Sequence, residues 1–207
     1  MLSKTDQSGK RDDERAPPRV DNRRELLMSA AARLFAKHGY AGTSVRDIAA
    51  AVGMLPGSMY YHFKSKEELL LTVHAEGVAH IYGAVQARLV TAGDEPWERL
   101  RAASVAHLTA VLDGSHYSMI MTPEFHLGIE NELRLQVVAQ RDAYETLFKT
   151  LIDALPLPDG TNRAYLRLGI FGSLNWAMTW FRPGGDSAEK IAGEMIDLYR
   201  RKLDPSA

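Results

Sequence analysis

The chain has 207 residues, of which 45% are hydrophobic and 25% charged; it contains no cysteine, and its net charge is −1. This length and composition predict one small and one medium-sized domain, and the lack of cysteine excludes disulfides, thiolate catalysis, thiol redox sensing and cysteine-ligated zinc. No apolar run approaches the ~18 residues of a membrane span and nothing resembles a signal peptide, so we expect a cytoplasmic protein with no membrane partner.

The charge is distributed unevenly along the chain. Residues 1–66 carry 12 lysines and arginines against 7 acidic residues, a net charge of +5; residues 67–207 carry 13 against 19, a net charge of −6. Phosphate attraction supplies most non-specific affinity for DNA, so a basic N-terminal part on an acidic body would dock onto DNA in one orientation. The alternative is that the positive charges of residues 1–66 form an ordinary solvated surface without a role in DNA binding.

Residues 1–20 are polar, include adjacent prolines and have too few apolar side chains to form a core. We predict a disordered basic arm here, followed by one domain over residues 21–66 and another over residues 67–207. The basic side chains of the arm would either contact a DNA groove or stay solvated without a role: Lys10, Arg11, Arg15 and Arg19.

The segment after the arm is predicted to form two helices. The first, over residues 24–39, has apolar residues at helical spacing. The second begins at a capping box formed by Ser44 and Asp47, and Ile48, Ala49 and Val52 share one of its faces. Gly53 ends it, because glycine adopts the left-handed conformation of a C′ position without a Cβ penalty.

A third, short helix is predicted from Pro56 to His62, since proline suits a first helical position. Met59 and Phe63 would face inward at i and i+4. A second capping box, at residues 65–68, would then begin a long helix. Two short helices around a glycine turn are typical of the helix-turn-helix, which places its second helix in the major groove of DNA.

Four motifs in this segment resemble the DNA-binding domain of the tetracycline-repressor (TetR) family of bacterial regulators. They are Ala-x-x-Leu-Phe (31–35), Gly-Tyr-x-x-Thr-Ser (39–44), Ile-Ala-x-x-x-Gly (48–53) and Tyr-Tyr-His-Phe-x-Ser-Lys-Glu-Glu-Leu (60–69). The resemblance implies that these residues contact DNA: Ser44, Arg46, Pro56, Gly57, Ser58, Tyr60, Tyr61, His62 and Lys66. Leu55 departs from the family pattern, because many members have Ser or Thr there.

From Ser65 onward the hydrophobic period is helical, with breaks at segments rich in Gly and Pro. We predict helices over residues 65–91, 95–113, 118–127, 129–154, 160–181 and 187–203. No strand-like alternation or internal repeat occurs. The fold is therefore expected to be all-α with about nine helices.

The resemblance implies that the C-terminal half binds a small molecule and forms a homodimer through its last two helices. Those helices carry wide stripes of small, aromatic and aliphatic residues. The predicted interface consists of Leu168, Gly169, Gly172, Trp176, Ile191, Met195, Leu198 and Tyr199. The alternative for this stripe is an intramolecular core face.

The segments 174–176 and 180–185 resemble the C-terminal signature of a TetR subgroup that regulates fatty-acid, steroid and aromatic catabolism. Some of its members respond to coenzyme A thioesters. However, the surroundings of Trp176 and Thr179 lack the further arginines that coenzyme A phosphates require. The implied effector is an acyl-CoA thioester or another lipophilic acid.

Aromatic residues and methionines in the middle of the body predict an apolar ligand pocket, although each one alone fits an ordinary core. The predicted ligand-binding residues are Trp97, Tyr117, Met119, Met121, Phe125, His126, Tyr144, Phe148 and Trp176.

Other classes of function fit the sequence less well. A metal-responsive regulator would use His116, Glu124, His126 and Glu130, but no histidine pair occurs at i and i+4. No hydrolase or nucleotide-binding motif is present, so we expect no catalytic residues, metal or cofactor. A DNA-binding dimer without a ligand is the third alternative. The prediction is a repressor that binds palindromic operator DNA and is released by a small-molecule effector.

Overall fold

The computed structural model describes residues 22–120, 129 and 131–205, and the predicted N-terminal arm lies outside them. These residues form nine α-helices and no strand, which confirms the predicted fold class. The helices are α1 (Asn22–His38), α2 (Val45–Ala51), α3 (Pro56–Met59), α4 (Lys66–Thr91), α5 (Pro96–Val111), α6 (His116–Met119), α7 (Asn131–Asp153), α8 (Arg163–Trp180) and α9 (Ala188–Leu203).

Two predicted helix boundaries differ from the structure by three residues, and the other described boundaries differ by two residues at most. The third helix ends at Met59 rather than at His62, because the next amides bond three residues back, as His62 N does to Met59 O. The helix predicted from residue 160 begins at Arg163, where the Asn162 side chain accepts from Tyr165 N and Gly160 has a φ of +80°. Most of the helix predicted over 118–127 lies outside the described residues.

The capping box of α2 is confirmed in both directions. Asp47 N donates to Ser44 Oγ over 3.2 Å, and Ser44 N donates to Asp47 Oδ2 over 2.9 Å. The capping box predicted for α4 is wrong in one half: Ser65 Oγ accepts from Glu68 N, but the Glu68 carboxylate accepts from Lys64 N. The second bond therefore lies one residue before the cap.

The turn after α2 also follows the sequence. Gly53 has a φ of +68°, and its N–H donates to Ala50 O over 3.1 Å, while Met54 N donates to Ala49 O over 2.9 Å. These two bonds form a Schellman motif, which satisfies the last carbonyl groups of α2. The turn fixes the angle at which α3 leaves α2.

The hydrophobic core has two clusters. One lies among α1, α2 and α3, which we call the head, and includes the predicted inward residues Met59 and Phe63. It extends past the predicted boundary at residue 66, because α4 and the chain around α6 and α7 contribute to it: Leu69, Leu70, Val73, Ile120, Ile129 and Leu133.

The second cluster fills the space among α4, α5, α7, α8 and α9, which we call the body. Trp97, Leu100, Leu108, Phe148 and Leu174 are fully buried in it. The helix α4 contributes to both clusters, so a single helix connects the head with the body. No helix in the described part of the chain has the length and apolarity needed to cross a membrane.

Candidate nucleic-acid interface and ligand cavity

The nine residues predicted to bind DNA all lie on the surface of the head. Five are exposed, with Tyr61 at 89% and Tyr60 at 55%, and the other four are half-buried. The opposite side of α2 and α3 is buried through Ile48, Ala49 and Met59. The head therefore has an exposed face that carries the predicted DNA contacts and an opposite face that is buried in its core, as a helix-turn-helix requires.

Ser44 and Asp47 determine the electrostatics at the start of α2. Besides the capping box, Ser44 Oγ donates to Asp47 Oδ2 over 2.6 Å. The Ser44 hydroxyl and amide hold the pKa of Asp47 below its ordinary value, so this carboxylate is charged at neutral pH. A phosphate at this helix end would meet the Asp47 charge, and only backbone amides remain to bind it.

The Lys66 side chain is already bound within the head. Its Nζ donates to Tyr40 O over 3.0 Å and to Thr43 O over 2.9 Å, and it lies 4.0 Å from the centre of the Tyr40 ring. Lys66 therefore fixes the turn between α1 and α2 against the start of α4. Its predicted phosphate contact would have to use the remaining N–H and the positive charge.

A cavity of about 230 Å³ lies in the body, among α4, α5, α7 and α8. Aliphatic and aromatic side chains form most of its wall, and five polar side chains interrupt them. The lining residues are Val78, Ile81, His107, Val111, Arg141, Tyr144, Glu145, Leu168, Phe171, Gly172, Asn175 and Met178.

His107 is the centre of the polar part of this wall. Its Nδ1 lies 2.7 Å from Tyr144 Oη, and its Nε2 lies 3.1 Å from Asn175 Oδ1. Burial lowers the pKa of His107 to about 4 and raises the pKa of Tyr144 well above 10, so both are neutral. Because the Asn175 oxygen accepts, Nε2 carries the proton and Nδ1 accepts from the Tyr144 hydroxyl.

A charged cluster borders the cavity where α7 faces α8. Arg141 Nε lies 2.7 Å from Glu145 Oε1, and Arg167 Nη1 contacts the other oxygen of the same carboxylate. Two guanidinium groups thus share one carboxylate, which leaves one positive charge in excess. The Arg141 side chain is 41% exposed and that of Glu145 23%, so an anionic ligand group would reach Arg141 and compete with Glu145 for it.

The structure brings together few of the predicted ligand residues. Tyr144 lines the cavity, and Phe148 lies behind it, with its ring centre 4.6 Å from that of Phe171. Trp97 is buried in the body core and Tyr117 packs against the head cluster, so neither reaches the cavity. Trp176 is 62% exposed. Met121, Phe125, His126 and the side chain of Met119 lie outside the described residues.

Sequence reasoning missed four polar residues of the cavity: His107, Arg141, Glu145 and Asn175. His107 could have been noticed as a single histidine on the apolar face of α5. Asn175 could have been noticed because it belongs to the motif at residues 174–176. The sequence near Trp176 on α8 lacks further arginines. Arg141 nevertheless brings a positive charge to the cavity, because it approaches from α7.

The predicted dimer interface is partly open in the single chain. Leu168, Trp176 and Leu198 are between 54% and 62% exposed, while Ile191, Met195 and Tyr199 are half-buried against the body core. Gly169 serves packing within the chain, since a Cβ there would lie 3.1 Å from Tyr199 Oη. Gly172 is exposed and also borders the cavity.

Neither a second surface groove nor a cluster of metal-binding side chains offers a better ligand site in the described part of the chain. A shallow groove of about 640 Å³ runs along α4 and α5, but alanines, threonines and surface ion pairs line it, and it encloses no buried polar group. Among the residues that the structure describes, no cluster of His, Asp and Glu suits a metal ion. Glu124, His126 and Glu130 lie outside those residues.

Both parts of the chain match known protein families. Residues 27–73 match the family described as bacterial regulatory proteins, tetR family, and residues 93–203 match the tetracyclin repressor-like C-terminal domain. Together these two matches cover most of the head and of the body, and residues 74–92, which include most of α4, lie between them.

Relatives match over most of their length. HTH-type transcriptional repressor KstR2 of Mycolicibacterium smegmatis is 31% identical over 88% of this chain and 91% of its own. KstR2 of Rhodococcus jostii is 30% identical over 88% and 94%. The structure of AibR in complex with isovaleryl coenzyme A and operator DNA is 28% identical, covers 85% of this chain and 97% of its own, and gives a TM-score of 0.73.

Proposed function

The chain belongs to the tetR family of bacterial regulatory proteins, and we infer that its head holds operator DNA, that α8 and α9 pair two copies, and that the central cavity binds an effector. It is a DNA-binding transcriptional repressor that acts as a dimer and responds to a small molecule, and it is not an enzyme.

The observation that carries the DNA-binding role is the two-sided head. Met59 and Phe63 anchor α3 in the core, while Tyr60 and Tyr61 extend into solvent beside it. Arg46 is exposed on the preceding helix. Because a guanidinium group pairs with the O6 and N7 atoms of guanine, we assign base recognition to Arg46 and phosphate contacts to Tyr60, His62 and Lys66.

The pairing of two copies is supported by the open faces of α8 and α9. Leu168, Trp176 and Leu198 leave large apolar side chains in solvent, and Tyr165 and Trp180 extend the same region with exposures of 73% and 44%. Burial of one such side chain contributes about 1.5–3 kcal/mol. A second copy with the same face would cover all of them at once.

The cavity chemistry fits an acyl group with an anionic extension. Phe171, Ile81 and Met178 offer apolar contacts, the Asn175 amide offers a neutral donor for a carbonyl oxygen, and Arg141 offers a positive charge. AibR, a relative in fold and sequence, has been solved with isovaleryl coenzyme A. We propose that the effector is a carboxylic acid or its coenzyme A thioester, and that only the acyl part enters the 230 Å³ cavity.

The helix α4 gives the effector a physical connection to DNA. Leu69, Leu70 and Val73 at its start belong to the head core, and Val78 and Ile81 line the cavity two turns later. A ligand that displaces α4 at the cavity therefore tilts the head. By linkage, DNA must weaken effector binding by the same factor as the effector weakens DNA binding.

We place this repressor in the cytoplasm, where bacterial DNA is accessible. Two alternatives are outcomes of the experiment below: a dimer that binds DNA without any effector, and a regulator that responds to a metal ion.

The proposal is tested by fluorescence anisotropy on an operator obtained by in vitro selection. Isovaleryl coenzyme A, isovalerate, longer fatty acids and their thioesters are added in turn. At least one probe should raise the operator Kd tenfold or more, and Arg141→Gln should reduce this response, whereas Lys149→Gln, outside the cavity lining, should not. No response to any probe would favour the ligand-independent dimer, and a response to Zn²⁺ would favour the metal sensor.

A further inference from the structure

Leu55 is the residue at the N-cap of α3, the helix that enters the major groove. Its side chain is 76% exposed, and it makes no capping hydrogen bond. It lies directly before Pro56 and Gly57, two residues whose side chains offer no hydrogen-bonding group either. The surface from Leu55 to Gly57, at the start of α3, therefore carries no side-chain hydrogen-bonding group.

This N-cap is unlike the others in the described part of the chain. Six further helices have a described N-cap, and each of these is a polar residue whose side chain accepts from a backbone amide: Ser44, Ser65, Glu95, Ser115, Asn162 and Ser187. A polar cap typically stabilises a helix by ~1 kcal/mol relative to an apolar residue. Among the seven helices whose N-cap the structure describes, α3 alone lacks this contribution.

The chemistry of the major groove restricts what Leu55 can contact there. The edges of the base pairs present hydrogen-bond donors and acceptors at every position, and the only apolar group among them is the C5 methyl of thymine. A donor or acceptor left facing a leucine would lose its water without gaining a partner. The methyl group loses nothing by that contact.

Resting on the proposed DNA-binding function, we propose that Leu55 determines operator specificity by packing on the methyl group of one thymine in each half-site. Arg46, Ser58 and Tyr61 supply the polar contacts of the same surface, and Leu55 supplies the apolar one. The head thus gives up a cap on α3 and gains a contact that distinguishes thymine from cytosine.

The test uses deoxyuridine, which differs from thymine only by the missing methyl group. The full-length protein first selects its operator from random DNA, and each thymine is then replaced singly by deoxyuridine. Replacement of the contacted thymine should weaken binding about fourfold, the effect of burying one methyl-sized group. In Leu55→Ala the same replacement should have no effect.

Two further variants separate specificity from folding. Leu55→Ser restores a capping hydroxyl, so it should raise the midpoint of thermal unfolding by about 2–4 °C while losing the thymine preference. Val90→Ala, at an 84% exposed position near the far end of α4, should keep the fourfold effect.

A Leu55→Ala protein that keeps the deoxyuridine effect would overturn the proposal, as would an unaltered protein for which no thymine methyl matters. If Leu55→Ala lowered the affinity for operator DNA and for random DNA equally, the proposal would also be overturned, because Leu55 would then contact the sugar-phosphate backbone and not a base. Failure of the unaltered protein to enrich any sequence would instead contradict the proposed function.

Discussion

At the scale of single residues, Lys66 combines two roles that the sequence could not separate. Its ammonium group binds two carbonyl oxygens of the turn between α1 and α2 and contacts the Tyr40 ring, so part of its contribution is structural. Its charge nevertheless remains at the surface where a phosphate contact is proposed. Stability and salt dependence measure these two roles independently.

Lys66→Ala should lower the free energy of unfolding by about 1–2 kcal/mol, because two charge-assisted hydrogen bonds are lost. It should also make the slope of log affinity against log salt shallower by about 0.9 for each subunit. Urea unfolding and anisotropy at several salt concentrations measure the two effects. The control is Lys37→Ala, an exposed lysine on α1 outside the proposed surface. An unchanged slope in Lys66→Ala would leave Lys66 a purely structural role.

His107 makes the stability of the body sensitive to pH. Its pKa is lowered by burial from 6.5 to about 4 in the folded protein, so below pH 6.5 the unfolded chain binds a proton that the folded chain does not. Stability is fully present above pH 6.5 and is lost as the pH falls towards 4. The difference in pKa corresponds to about 3 kcal/mol.

His107→Gln should therefore remove about 3 kcal/mol of the stability change between pH 7 and pH 4, although it also destabilises the protein at pH 7 by disturbing the contacts with Tyr144 and Asn175. Urea denaturation of both proteins at several pH values measures the difference. Parallel pH profiles for the two proteins would contradict this, because they would show that His107 has the same pKa in the folded and the unfolded chain.

At the scale of elements, the head was predictable because its signals are local. The capping box pairs Ser44 with Asp47, Gly53 ends α2 in the left-handed conformation, and Met59 points inward together with Phe63. In each case the residues that determine the feature are fewer than seven positions apart in the chain. The cavity was not predictable in the same way. Its polar wall joins His107 on α5, Tyr144 on α7 and Asn175 on α8, and only the packing of three helices brings them together.

The same contrast explains why Trp97 and Tyr117 lie away from the cavity. Both were assigned to the ligand pocket because aromatic residues near the middle of the chain suit such a site. The rotation of α5 instead buries Trp97 in the body core, and Tyr117 packs against the head. Amphipathic periodicity shows that a residue is inward, but not which of two neighbouring clusters it enters.

Two glycines of the helix-turn-helix should respond oppositely to alanine. Gly53→Ala places a Cβ in a left-handed turn with a φ of +68° and should cost about 1–2 kcal/mol. Gly57→Ala, in the matched control position within α3, meets no atom within 4 Å and should stabilise the head by up to about 1 kcal/mol. Equal changes in the urea midpoint would show that the turn does not require the left-handed conformation.

At the scale of the whole molecule, head and body are connected at more than one place. The helix α4 contributes to both core clusters, and Ile120, Ile129 and Leu133 reach into the head from the other side. We therefore expect a ligand that shifts the body to move the head with it. In a dimer this movement would change the distance between the two recognition helices.

Leu198→Glu should break the dimer, because it places a charge on an apolar face that a second copy covers. Leu135→Glu is the control, since this leucine is 67% exposed on α7, outside the proposed interface, while Leu198 is 61% exposed. Sedimentation should give a monomer only for Leu198→Glu, with an operator affinity about 100-fold lower because the two heads are no longer linked. A dimeric Leu198→Glu protein would place the interface on other helices.

The substitution Gly172→Trp would test the same interface less clearly than Leu198→Glu, since Gly172 also borders the cavity.

We expect two copies of this chain to recognise one symmetric DNA site, and in vitro selection from random duplex DNA measures this. The selection should enrich a palindrome whose half-sites lie about 10–10.5 base pairs apart, or a multiple of that spacing, bound by an even number of chains. Enrichment of a single unrepeated site bound by one chain, or of no sequence at all, would contradict recognition by a symmetric dimer.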